Sequence, residues 1–327
     1  MTAKDAAPIF QTDADLQGAA FARAAPCACA ASLSCARHGR RWFTGLMGAG
    51  AVAAVVAPGP VWAQGAQQAP EGVRDEVGKN SGFTKLVSAE QVEASAAQQF
   101  AEMKREASQK SALAPSSHPQ LIRLRAIAER IIPHAAPWNP RAAQWKWEVQ
   151  LFGSKQLNAF CMPGGKIAFY FGILQKLQLS DDEVAMIMGH EVAHALREHA
   201  RERMGKTAAT RVGANLISSL LGLGQLGDAA LGMGAQLLTL KFSREDETEA
   251  DLVGLELAAR AGYNPQAGVT LWQKMLNANK SAPPEFMSTH PAGDTRIHEI
   301  ERVLAKVLPL YERAGKPERM FGPPAQG

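Results

Sequence analysis

Charge of one sign is what this chain has least of. The formal net charge is +4 at pH 7 over 327 residues, and beyond position 63 there remain 30 basic and 28 acidic side chains, a net +2. Such a balance lays no electrostatic footprint for a phosphate backbone and gives no case for nucleic acid. Cysteine is equally scarce. Of four cysteines, Cys27, Cys29 and Cys35 fall near the start. Only Cys161 lies in the body of the chain, so no internal disulfide can staple it. Internal repeats are absent too, which excludes solenoid and propeller arrays. No clear apolar run is long enough to span a bilayer, which takes about 20 residues.

The first 63 residues read as an address rather than a fold. Gly39-Arg40-Arg41-Trp42-Phe43-Thr44 precedes an apolar run from Gly45 to Pro58, followed by Val61-Trp62-Ala63. That order is a basic region, an apolar region and a small-residue cleavage site near Ala63. The paired arginines, with Phe43 two positions on, resemble a twin-arginine signal, and a Sec signal is the alternative. No cysteine stands at the cleavage point, so no lipid anchor is expected. Residues 64–87 are rich in Gln, Gly and Ser and read as a mobile linker. The reading is then a catalytic domain over 88–310 and a tail over 311–327.

Helical spacing predicts helices over 88–110 and 120–132. Lys146–Phe152 alternates and reads as a strand, as does Lys166–Phe171 after the turn signal Pro163-Gly164-Gly165. A strand beside a catalytic helix would offer a free edge to an extended peptide. Residues 212–240 are apolar and Gly-rich, broken by Asn215, Gln225, Asp228 and Gln236. They read as two short packed helices, with a hairpin touching the membrane as the alternative.

The decisive run is His190-Glu191-Val192-Ala193-His194. Two histidines four apart on a helix share one face, about 6 Å along the axis. That spacing lets both imidazoles reach one zinc ion while Glu191 works on the water beside it. Ser180-Asp-Asp-Glu183 reads as a capping box, and Val184, Ile187, Met188, Val192 and Leu196 recur at helical spacing behind it. The motif thus sits on a largely buried helix. A third protein ligand is needed. His199 is nine residues after His190, and the extended pattern with a third histidine would need it at 200, which is Ala; His199 is set aside. Glu247, in Ser243-Arg-Glu-Asp-Glu247-Thr-Glu249-Ala-Asp251, can complete a His-His-Glu site. Asp251, four residues on, can accept the second N–H of a ligand histidine. The same acids also suit a helix start, and the macrodipole accounts for Glu245, Asp246 and Glu249 without a site.

Taken with Ser288-Thr-His290-Pro-Ala-Gly-Asp-Thr-Arg296 and Asn158-Ala-Phe-Cys-Met-Pro-Gly-Gly-Lys-Ile167, these motifs resemble the zinc metalloendopeptidase family of HtpX, BepA and the CAAX prenyl proteases, which are gluzincins. Cys161 and Met162 depart from the family's usual residues. The resemblance covers roughly residues 85 to 305. It implies an α+β fold: a mainly helical zincin-like metalloprotease domain with a small β-sheet edge beside the motif helix. It also implies one zinc ion held by His190, His194 and Glu247, Asp251 behind them, and Glu191 as general base. His290 would cap the zinc at rest or stabilise the oxyanion, and Arg296 would support it. On the residues alone, a loop histidine before a structural proline is the favoured reading of His290, and the family pattern reverses it. No tetratricopeptide repeat follows, unlike BepA. The expectation is a soluble, exported, periplasmic metalloendopeptidase acting on misfolded or unassembled envelope proteins. The alternative is a periplasmic chaperone-like protein that holds clients at the strand edge, with latent protease activity.

Overall fold

The computed structural model describes residues 72–211, 237, 240–279, 285–290 and 294–325. The address segment 1–63, and all of 212–240 except 237 and 240, lie outside the described residues. Helix α1 spans Ala89–Gln109 and α2 Pro119–Ile131. Three strands follow, β1 over Glu148–Phe152, β2 over Ala159–Met162 and β3 over Lys166–Tyr170. Then come α3 (Phe171–Lys176), α4 (Asp181–Leu196) and α5 (His199–Arg211). After the undescribed stretch come α6 (Arg244–Arg260), α7 (Ala267–Asn279), the short α8 (Glu285–Thr289) and α9 (Asp294–Arg313). The fold is α+β and mainly helical, as the sequence leads one to expect.

Local chemistry sets the two central helices. Ser180 accepts from the Glu183 backbone while the Glu183 carboxylate accepts from Ser180 N–H, so the capping box is closed. Ser243 and Asp246 close a second box at the start of α6. A capping residue of this kind contributes about 1 kcal/mol. Asp246 therefore caps the helix start that it was expected to serve only as a charge. Helix α4 is buried almost all round, which fits a helix running through the middle of a core.

The sheet has strand order β1-β3-β2, with β1 parallel and β2 antiparallel to β3. Its two faces are both covered. Ile167 and Phe169 join the main core with Leu121, Val184 and Val192. Ala168, between them, points the other way into a small cluster with Phe100 and Phe152, where α1 covers the sheet. The outer edge of β1 is partly covered: Ala114 N–H donates to Leu151 O at 3.0 Å and Gly153 N–H to Ala112 O at 2.6 Å. Strand β2 forms the other edge. It escapes the periodicity reading because Ala159-Phe-Cys-Met is a short unbroken apolar run.

The flanks differ from expectation. Where the sequence reads a mobile linker over 64–87, residues 72–87 pack on the domain. Val73 and Val77 are buried in the main core, Val73 N–H donates to Glu256 Oε2 at 2.8 Å, and Gly82–Leu86 forms a 3-10 turn. Composition does not register two valines that each find a hole. The tail also packs. Phe321 and Gly322 N–H donate to Asp181 at 2.7 and 2.9 Å, and Asp181 is paired with the buried Arg123 at 2.8 Å.

Helices α4 and α6 cross without a side chain between them. A Cβ at Gly189 would stand 2.5 Å from Gly254 O, and one at Gly254 would stand 2.5 Å from His190 N. Both clashes are with backbone, so neither yields to a rotamer change. We predict that Gly254→Ala destabilises the fold by about 1–3 kcal/mol, the range for overpacked cores. That lowers Tm by roughly 2–4 °C per kcal/mol, and it loosens metal binding even in the folded fraction. Calorimetry with and without added metal measures both effects; an unchanged Tm would refute the crossing as a constraint.

Candidate metal centre

The crossing places residues from two distant segments on one point. His190 and His194 project from α4, and Glu247 from the first turn of α6. His290 follows α8, its N–H donating to Phe286 O at 2.9 Å. One donor atom from each of the four lies within 4.8 Å of all the others. His190 Nε2 and His194 Nε2 are 3.1 Å apart. Glu247 is 3.6 Å from His190 Nε2 and 3.5 Å from His194 Nε2. His290 Nδ1 is 3.3 Å from His190 Nε2 and 2.9 Å from Glu247 Oε1. Donors at about 2.0–2.1 Å from a tetrahedral ion stand roughly 3.3–3.4 Å apart. The spacings scatter about that value, so the group fits a single small divalent ion.

A buried polar atom without a partner marks the same point. Glu191 Oε1 is buried and makes no hydrogen bond, with His290 Nε2 at 3.5 Å. Glu247 Oε2 also lacks a well-directed hydrogen bond, although Arg296 Nη1 lies 2.6 Å away as an ion-pair contact. Atoms of this kind are expensive to bury unless something else completes them.

Electrostatics keep the donors in usable forms. Burial, reinforced by the neighbouring His190, pushes His194 well below the usual imidazole range and favours its neutral state. Burial alone would raise Asp251; the Arg296 guanidinium and the His190 hydrogen bond outweigh it and hold the carboxyl at about 2. Burial raises Glu191 despite the opposing pull of His290 and His190. His190 Nδ1 lies 3.0 Å from Asp251 Oδ1, which leaves His190 Nε2 free to face the group. Arg296 donates to both Asp251 oxygens at 2.6 and 2.7 Å. It stacks 3.7 Å over Trp272.

The structure therefore brings together every residue singled out from sequence: His190, Glu191, His194, Glu247, Asp251, His290 and Arg296. Sequence reasoning missed others. His199 stays outside the four-donor group, yet its Nδ1 lies 2.8 Å from His194 Nδ1. Glu249, read as a helix-start charge, pairs with His199 and Arg197 instead. Phe242 stacks on His194 with ring centroids 4.0 Å apart, and Phe286 on His290 at 4.5 Å. Phe286 and His290 stand four apart, a helical spacing that the sequence does carry, whereas Phe242 and Glu249 reach His194 and His199 from a distant segment that no periodicity signals.

A cleft of about 220 Å³ opens on the group, lined by Phe160, Cys161 and Met162 of β2 as well as Glu191, His194 and His290. The edge strand thus forms one wall, and the Cys161 backbone beside Glu191 favours its charged form. The sequence points to strands at 146–152 and 166–171; the strand beside the donors is this third one.

A helix carrying H-E-x-x-H, crossed by a helix carrying a glutamate and bordered by a strand edge, defines the gluzincin class of metallopeptidases. The chain belongs to peptidase family M48, whose model matches residues 121–304. It is similar to the mitochondrial metalloendopeptidase OMA1 of Schizosaccharomyces pombe, 35% identical over 193 residues that cover 58% of this chain and 55% of that one. The Arabidopsis thaliana OMA1 is 38% identical over 167 residues, 50% of this chain and 33% of its own. The beta-barrel assembly-enhancing protease of Escherichia coli is 28% identical over 204 residues, 59% and 40% respectively. The chain spans about half the length of the curated relatives it matches.

The donor set predicts about one equivalent of divalent metal in the purified protein and a loss of most of it in His194→Ala. Elemental analysis at matched protein concentration checks this. Equal metal content in both would refute the assignment of His194 to the site.

Proposed function

We propose that the protein is a zinc-dependent metalloendopeptidase with His190, His194 and Glu247 as metal ligands. The observation that carries this reading is the four-donor group, with a buried Glu191 oxygen beside it that makes no hydrogen bond, at the wall of a cleft formed by a strand edge. Borderline imidazole nitrogens and one carboxylate are the donor set of catalytic zinc. When bound, zinc supplies a Lewis acid that makes water acidic near neutrality and polarises a carbonyl.

The remaining steps belong to the chain. Glu191 accepts a proton from the attacking water and passes it to the leaving amine. Its raised proton affinity suits both halves of that task. Strand β2 receives an extended peptide by main-chain hydrogen bonds, which makes recognition tolerant of sequence. Asp251, held by Arg296, keeps His190 oriented. In this reading His290, whose donor atom lies within 4.8 Å of the other three, would fill the fourth position at rest. Phe286 and Phe242 on either side steady the ring. Release of His290 opens the position for water, and the freed imidazole can then donate to the developing oxyanion.

The physiological reading is export and cleavage of misfolded or unassembled envelope proteins in the periplasm. It is supported by the Arg40-Arg41 address and by similarity to a protease named for β-barrel assembly. No described helix is long and apolar enough to cross a membrane, and contact of 212–240 with a membrane surface stays part of the proposal. The rival reading, a chaperone-like client binder with latent cleavage, shares the β2 edge. Casein digestion with and without a chelator separates the two.

Two variants test the chemistry. Glu191→Gln should keep metal and fold while hydrolysis falls by roughly 100-fold or more, the scale of a lost general base. Digestion near the wild-type rate would remove Glu191 from that role. His290→Ala should raise peptide turnover at matched metal occupancy, because the resting contact is gone. Slower turnover would assign His290 to oxyanion support, and an unchanged rate would leave it with neither role.

A further inference from the structure

The orientation of His194 is decided outside the four-donor group. Its Nδ1 faces His199 Nδ1 at 2.8 Å. Two such nitrogens hydrogen-bond only when one carries hydrogen and the other a lone pair. The far nitrogen of His199, Nε2, lies 2.9 Å from Glu249 Oε2. A carboxylate accepts and cannot donate, so the hydrogen there belongs to His199. For His194 to turn an Nε2 lone pair to the donor group, its hydrogen must sit on Nδ1, and His199 Nδ1 then accepts it. His194 Nε2 is left as a lone pair, 3.1 Å from His190 Nε2 and 3.5 Å from Glu247 Oε1.

The network is anchored. Arg197 grips Glu249 through Nε and Nη2, both at 3.0 Å, and donates to Gly78 O at 2.6 Å. His199 is 1% exposed. Backbone geometry explains how a histidine five residues on can return to His194. Glu198 has φ 58, a left-handed conformation that non-glycine residues seldom adopt. It breaks α4 and swings His199 back over the helix end. Strain of this kind persists where surrounding contacts enforce it.

We propose that His199 and Glu249 are positioning residues. They hold His194 as the Nδ1–H tautomer, with its Nε2 lone pair facing the donor group, and Arg197 anchors Glu249. His190 is held by a carboxylate directly, through Asp251; His194 is held by one through an intervening imidazole. This inference rests on the metallopeptidase reading. It adds to it three residues that touch neither the metal position nor the cleft's reacting point.

The test is zinc affinity of the metal-stripped protein, measured by competition with a chromophoric chelator, for wild type, His199→Leu and His199→Gln. Circular dichroism confirms that each is folded. Glutamine can accept from His194 through its amide oxygen and donate to Glu249 through its amide N–H. His199→Leu should weaken zinc binding about 10–100-fold, the scale for lost outer partners of a ligand histidine, while His199→Gln should stay within about threefold of wild type. Wild-type affinity in His199→Leu, or equal loss in both variants, overturns the relay. Nitrogen-15 spectra of the metal-free wild type need no variant at all. They should show His194 as the Nδ1–H tautomer, and the Nε2–H form would overturn the proposal. A wild type that binds no zinc would instead overturn the metallopeptidase reading, so the two failures are distinguishable.

Discussion

Everything at the centre of this protein depends on the backbone contact between Gly189 and Gly254. Helix axes normally pack 8–10 Å apart, separated by side chains. Here neither residue has a side chain to interpose, and a Cβ on either would meet backbone at 2.5 Å. The close approach is what brings Glu247 within reach of both His190 and His194. His190 follows Gly189 directly, so the contact and the donor share a turn. Moving the helices apart by even the width of a methyl group would stretch the donor spacings beyond what one small ion can span.

Such proximity gathers charge in a buried region. Glu191, Glu247, Asp251 and Arg296 are all almost fully buried, and isolated charges there would be prohibitive. They are tolerable because they form a connected set. Arg296 reaches both Asp251 and Glu247, and its flat guanidinium rests on Trp272. Arg197 plays the matching part for Glu249 on the other side of His194. Two arginine–carboxylate pairs thus bracket the two helix histidines. Each arginine belongs to a segment that follows or opens a helix, so the pairs also tie α9 and the turn after α4 to the core.

The β2 edge gives this charged centre an outlet. The strand is too short to read as one from its pattern, yet it walls the cleft beside Glu191. In the proposed function this one short edge would present main-chain groups to an extended peptide beside Glu191. His290 closes the opposite side between two phenylalanine rings.

Much of this was legible in the amino-acid order because it is local. Capping at Ser180 and Ser243, the spacing of His190 and His194 on one helical face, and the placing of Glu247 and Asp251 on one face of the next helix all follow from helix geometry. So do most element boundaries and the mainly helical α+β class. The sequence by itself also determined which residues could be ligands, since few side chains carry that chemistry. Tertiary structure alone decided the rest. That Val73 and Val77 pack rather than float, that Glu249 serves His199 rather than the macrodipole, and that His199 turns back through a left-handed Glu198 are contacts between segments brought together by folding. A hydrogen bond across 50 residues leaves no periodicity in the chain; it exists only because two helices meet at two glycines.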